Sequence, residues 1–146
     1  MPTLREFMTP SPHTIGDEQP LATAQHLMRT HGCRHLPVLR SGELVGMVSE
    51  RDVLLMLGLP GVDPNLALVE EAMTEPAVAL APTTSLEWVA AEMAQRRLGS
   101  VVVVESTRVV GVFTCVDALV ALQTLLARAR RRGKRATARP ARKRPT

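Results

Sequence analysis

Displaced against itself by 65 positions, the sequence brings Glu6 onto Glu71, Met8 onto Met73, Thr9 onto Thr74, Leu21 onto Leu86 and Met28 onto Met93. Without a gap the register continues through Val38 on Val103, Ser41 on Ser106, Val45 on Val110, Gly46 on Gly111, Asp52 on Asp117 and Leu54 on Leu119. Identities at corresponding points of one pattern mark a tandem duplication, so the chain must fold as two copies of a single supersecondary unit. A unit of roughly 55 to 60 residues is marginal as an independent core, and the copies are expected to pack on each other through a large apolar interface. The chain is 45% apolar but only 2% aromatic, with no tyrosine, so Val, Leu, Ala and Met must build that core. Scarce aromatics also disfavour a nucleic-acid reader that stacks bases on ring platforms.

Each copy opens with a segment ending in Met-Thr, Leu4 to Thr9 or Val69 to Thr74, followed by a proline-containing extended stretch. A helix is predicted next. In the first copy Pro20 suits a helix start, and Leu21, Ala24, Met28 and His31 follow at helical spacing; Leu86, Val89, Ala90 and Met93 repeat the stripe. Two strands follow, His35 to Leu39 and Leu44 to Ser49, with Ser41-Gly42 as the turn signal. Their counterparts are Ser100 to Glu105 and Val109 to Thr114, and the unbroken β-branched run Val101 to Val104 suits a strand covered on both faces. A closing helix begins near Glu50 or Cys115. Gly58, Pro60, Gly61 and Pro64 break the helix and join the copies. The expected organisation is a first repeat over 1–58, a linker over 59–65, a second repeat over 66–126 and a tail over 127–146.

The net charge of +4 conceals a division. Ten of the 18 basic residues lie from Arg128 onward, whereas the body up to Ala127 holds eight basic residues and all 14 acidic ones, leaving it six charges negative. A segment mixing Arg and Lys with Ala, Gly, Thr and Pro cannot bury apolar surface, so the tail is expected to be disordered beyond the closing helix. Its charge could attract nucleic acid through counterion release. Cys33 and Cys115 form no CxxC pair, no secretory signal pattern is evident, and no apolar run approaches the roughly 18 residues of a membrane span. Reduced thiols and a cytoplasmic location, without membrane association, are expected.

The second strand of each copy enters its closing helix through Gly46-Met47-Val48-Ser49-Glu50-Arg51-Asp52 and Gly111-Val112-Phe113-Thr114-Cys115-Val116-Asp117. At its simplest this is a helix start, with Ser or Thr at the N-cap and Asp three residues on at the positive end of the helix. The same carboxylate can also accept two hydrogen bonds from a vicinal diol such as a ribose, while free N–H groups and the hydroxyl suit a phosphate. A glycine in the strand permits close approach of backbone or ligand.

With its duplicated unit, Met-Thr at the front, Gly-x-x-Ser/Thr-x-x-Asp near the end and the phrase Arg34-His35-Leu36-Pro37-Val38, the chain from about Thr3 to Leu122 resembles a pair of CBS domains. The resemblance implies an α+β fold of two tandem β-α-β-β-α repeats around a pseudo-two-fold axis, their sheets facing each other. It also implies two clefts that hold AMP, ADP, ATP or S-adenosylmethionine as a regulatory ligand, with no required cofactor. Carried over by position, one cleft would combine Thr114, Val116 and Asp117 with Met8, His13, Cys33, Arg34 and His35. The other would combine Ser49, Arg51 and Asp52 with Pro76, Val78, Leu98, Gly99 and Ser100. Arg34 and a charged His35 would make the Asp117 cleft the tighter phosphate binder.

No nucleophile paired with a base stands outside the motif, so an enzyme is not expected. His31, Cys33 and His35 alternate, but none pairs at zinc spacing and Gly32 reads as a helix end, so no metal site is expected. Cys115 lacks a resolving partner and is expected to be a small, partly buried residue; Trp88 and the methionines other than Met8 are expected to pack on helix faces. A ligand-binding regulator is the leading reading. A scaffold with empty clefts and a nucleic-acid binder acting through the tail are the alternatives. The resemblance further implies a homodimer, with any regulatory output passing to an effector protein.

Overall fold

A computed structural model of the chain describes residues 1–137. A short helix α1 (Leu4–Phe7) and strand β1 (Thr9–Pro10) form the front segment of the first repeat, which continues through β2 (Ile15–Gly16), α2 (Leu21–His31), β3 (His35–Arg40), β4 (Glu43–Ser49) and α3 (Glu50–Leu57). Helix α4 (Val69–Ala72) then leads into β5 (Ala79–Leu80), α5 (Leu86–Arg96), β6 (Ser100–Glu105), β7 (Arg108–Thr114) and α6 (Cys115–Thr137). In each copy the first strand lies parallel to the second and the second antiparallel to the third, giving sheets β2-β3-β4 and β1-β7-β6-β5. Both hairpins turn through two residues at positive φ, Ser41 and Gly42 in one and Ser106 and Thr107 in the other. That backbone matches the right-handed twist of the flanking strands.

The front segments are exchanged between the copies. β1 of the first pairs with β7 of the second at Thr9↔Val112, and Thr74 of the second bridges to Met47 of the first. Leu4 is fully buried with Leu86, Val89, Met93 and Phe113, whereas Val69 is fully buried with Leu21, Val38 and Val53. Burying a Leu side chain contributes about 2 kcal/mol, so each front helix ties its copy to the opposite core. The sequence repeats are therefore not the packing units: residues 4–10 complete the second core, and 69–74 complete the first.

This exchange explains Gly46 and Gly111. A Cβ on Gly46 would stand 2.8 Å from both the Thr74 carbonyl oxygen and Met73 Sδ, and one on Gly111 would meet Met8 Sδ and, at 3.2 Å, the Thr9 carbonyl oxygen. The Met-Thr dipeptide of one copy thus lies against the strand glycine of the other. Between the sheets Met47, Val102 and Val112 form a third apolar cluster, flanked by Leu44, Ala77, Val104 and Val109.

Several residues depart from expectation. Helix α6 continues ten residues beyond Ala127 to Thr137, so Arg128 to Thr137 are helical where a disordered tail was expected; residues 138–146 lie outside those described. Leu125 and Ala118 pack beside buried Ala121, and Arg128 holds Glu6 at 2.7 Å, which together pin the helix as it leaves the body. His31 is exposed and stacks on His13, with ring centroids 3.5 Å apart, because Gly32 turns the chain at φ +64 before the stripe can continue. Trp88 is half exposed on the outer face of α5, and Cys115 is exposed on the first turn of α6.

Candidate functional site

The two strand-to-helix corners are built alike. Ser49 caps α3 by accepting from the Asp52 N–H at 3.1 Å, and the Ser49 N–H donates to Asp52 Oδ2 at 2.9 Å. Thr114 and Asp117 repeat this at 3.2 and 3.0 Å. The simple capping role is therefore realised in both copies. What separates them is the remaining acceptor capacity of each carboxylate.

Asp117 is engaged from outside its own helix. The Thr9 hydroxyl of the exchanged front segment reaches Asp117 Oδ1 and Oδ2 at 3.0 and 3.2 Å, and the Thr114 hydroxyl reaches Oδ2 at 3.2 Å. Thr74, the counterpart of Thr9, makes no such bond, and Asp52 Oδ1 has no hydrogen-bond partner among the described residues. Asp52 lines a cavity of about 830 Å³, in the size range of sites for cofactors and small molecules.

That cavity gathers one of the expected groups whole: Ser49, Arg51 and Asp52 from the first copy, with Pro76, Val78, Leu98, Gly99 and Ser100 from the second. The other group is divided. Arg34 and His35 turn into the Asp52 cavity, Met8 packs against Gly111, His13 stacks on His31, and Cys33 packs on the first core. Val116 is 63% exposed. Arg34 and His35 thus line the Asp52 cavity, although the Asp117 carboxylate also acts on the His35 ring. β3 begins with His35 beside Ser49 in the sheet, as β6 begins with Ser100 beside Thr114.

The cavity has a divided chemistry. The Pro76, Ala77, Val78 and Leu98 side supplies apolar surface, whereas Ser49, Arg51, Asp52 and Thr74 supply hydroxyls and charge. Three arginines, Arg34, Arg51 and Arg97, are among its lining residues. Arg34 lies 3.6 Å from Glu50, a solvent-exposed pair that is worth little and can exchange for an anion. Burial holds the His35 imidazole below its ordinary pKa, against the opposing pull of the Asp52 and Asp117 carboxylates, with Arg34 adding to the decrease. Burial thus works against the charged form expected of His35, whose neutral ring offers one N–H as donor. Burial likewise pushes the Cys33 thiol up, away from thiolate reactivity.

Thr74 and Arg97 were missed in the sequence reading. Thr74 is the repeat partner of Thr9 and belongs to the Met-Thr signature, so the duplication alone pointed to it. Arg97 closes α5 in the left-handed conformation at φ 54, where the first copy has Gly32. Its place at the cavity follows from that turn, which residue type alone does not reveal. Among the described residues, no three His, Cys, Asp or Glu side chains gather as metal ligands, and no helix is long and apolar enough to cross a membrane.

A duplicated β-α-β-β-α unit with exchanged front segments and a cavity shared between the copies defines a tandem domain pair. The chain belongs to the CBS domain family, whose model matches residues 4–58 and again 69–124. It is 30% identical over 117 residues to the CBS domain-containing protein YhcV of Bacillus subtilis, covering 80% of this chain and 83% of that protein. Its fold is similar to that of CBSX2 in complex with AMP, with a TM-score of 0.72 and 23% identity over 84% of this chain and 97% of the other. It also resembles the CBS domain pair of protein MJ0100 in complex with 5′-methylthioadenosine and S-adenosyl-L-methionine, with a TM-score of 0.76 and 24% identity over 85% and 98%.

Proposed function

We propose that the chain is a non-catalytic regulatory module that takes an adenosine-containing ligand, AMP, ADP, ATP or S-adenosylmethionine, in the Asp52 cavity. The observation that carries this reading is Asp52 Oδ1, a carboxylate oxygen without a partner among the described residues, on a residue lining a cavity of about 830 Å³. A ribose diol satisfies that oxygen, and the apolar side formed by Pro76, Val78 and Leu98 suits a flat base. Arg34, Arg51 and Arg97 favour the phosphorylated members of the group over S-adenosylmethionine. The complexes of CBSX2 and MJ0100 support the adenosine class for folds of this kind.

Calorimetry with the four ligands on the full chain tests the reading. Hydrogen bonds to a charged group are worth about 1.5–3 kcal/mol, so Asp52→Ala is expected to weaken binding by about ten- to a hundredfold. Asp117→Ala is expected to change it little. Unchanged affinity in Asp52→Ala, or failure of every ligand to raise the melting temperature, would leave a scaffold with an empty cleft as the better description.

A homodimer is the assembly we infer. Val116, Leu119 and Val120 are more than half exposed at helical spacing on α6, as are Leu54 and Leu55 on α3, and apolar surface of this kind is normally covered by a partner. Sedimentation analysis of wild type against Leu119→Lys measures it. A monomeric wild type would reject the assembly.

A further inference from the structure

The basic end of α6 is not used by the ligand cavity. From Arg128 to Thr137 the helix carries Arg128, Arg130, Arg131, Arg132, Lys134 and Arg135, holds no acidic residue, and is exposed throughout. Like charges three and four residues apart oppose one another on a helix. The segment is helical despite this because it continues a helix already anchored: Ala121 is buried, and Arg128 both pairs with Glu6 at 2.7 Å and stands 5.7 Å above the Phe7 ring. Cations near a helix C-terminus are also favoured by the helix dipole.

We propose that this segment is a rigid cationic rod that binds the phosphate backbone of duplex DNA. At about 100° per residue, Arg128, Arg131, Arg132 and Arg135 share one side of the helix and Arg130 and Lys134 take the other, so charge surrounds the axis. A rod charged on both sides suits a channel with phosphates on both walls, and the B-form major groove, about 12 Å wide, admits an α-helix. The deep, narrow major groove of duplex RNA does not. Five of the six cations are arginines, whose planar forks bind phosphate oxygens in pairs. Ala129 and Ala136 are the only apolar side chains from 128 to 137, which leaves no Leu, Phe or Trp face with which to enter a lipid surface. The body, six charges negative, repels the duplex and directs contact to the basic C-terminal end.

The test measures fluorescence anisotropy of a labelled mixed-sequence DNA duplex with the full chain between 50 and 200 mM salt, about the range in which phosphate contacts are strongly screened. With about 0.9 in slope of log affinity against log salt per phosphate neutralised, changing Arg130, Arg131, Arg132, Lys134 and Arg135 together to Gln is expected to lower the magnitude of the slope by up to about 4.5. Gly133 distinguishes a rod from a merely charged tail. Nothing lies within 4 Å of its Cβ position, so Gly133→Ala retains every charge while favouring helix, and Gly133→Pro retains every charge while breaking it. We expect affinity at least equal to wild type for the first and about fivefold or more weaker for the second, both with the wild-type melting temperature of the body. Equal binding by Gly133→Pro, a salt slope unchanged by the five Gln substitutions, or capture by duplex RNA, polyglutamate or phosphatidylserine vesicles as tight as by duplex DNA would each overturn the proposal.

Discussion

Gly46→Ala probes the join between the two copies directly. The added methyl would lie 2.8 Å from Met73 Sδ and 2.8 Å from the Thr74 carbonyl oxygen, where ordinary contact begins near 3.5 Å. The methionine can swing aside. The carbonyl cannot, because it accepts from the Met47 N–H at 3.0 Å while the Thr74 N–H donates back to Met47 at 2.8 Å. Overpacking of this kind costs about 1–3 kcal/mol, and weakening one of those two backbone bonds adds about 1 kcal/mol. A total of about 3 kcal/mol corresponds to a melting temperature lower by about 10 °C for a chain of this size. Gly111→Ala supplies the internal comparison. Its nearest neighbour is the flexible Met8 side chain, and the Thr9 carbonyl stands off at 3.2 Å, so a loss of about 1 kcal/mol, or about 3 °C, is expected. Scanning calorimetry on both variants decides the matter, and because Thr74 borders the cavity, Gly46→Ala is also expected to weaken adenosyl-ligand binding. A Gly46→Ala melting temperature within about 1 °C of wild type, or a larger loss in Gly111→Ala, would refute the reasoning.

Leu4→Ala is expected to cost about 2–5 kcal/mol, because a fully buried side chain from one copy would leave a void in the other; chemical denaturation measures it. Arg40 holds the Asp17 carboxyl below its ordinary value through a 2.6 Å ion pair, its effect exceeding the opposing effect of burial. The stability this contributes is complete above the ordinary aspartate pKa of about 3.9 and is lost as pH falls through the lower folded value. Asp17→Asn should therefore be less stable than wild type at neutral pH, with the difference closing in strong acid, as acid titration of the two proteins would reveal. For His35, held below its usual pKa chiefly by burial, wild-type stability should begin to fall as pH drops below about 6.5, and His35→Asn should flatten that limb in melting curves taken between pH 7 and 5.

Much of this architecture was legible in residue order. The 65-residue register announced the duplication, the alternation of turn signals and β-branched runs located β3, β4, β6 and β7 to within a residue or two, and Ser49 with Asp52 and Thr114 with Asp117 declared the helix caps. These are local properties, set by neighbours within a turn of helix or along one hairpin. The reach of α6 was misjudged because Arg-rich composition argues against a packed helix, whereas an anchored helix can carry its charges onward.

Residue order alone thus determined that there are two copies, where their strands and caps fall, and which two carboxylates stand at equivalent corners. Only the tertiary structure decided that Leu4 and Val69 exchange cores, that Thr9 closes on Asp117 while Thr74 leaves Asp52 open, and that Arg34, Arg51 and Arg97 converge on one cavity. A repeat makes its two corners nearly identical in sequence. They are told apart by contacts between residues as much as 108 positions apart, such as Thr9 with Asp117, which no local pattern encodes.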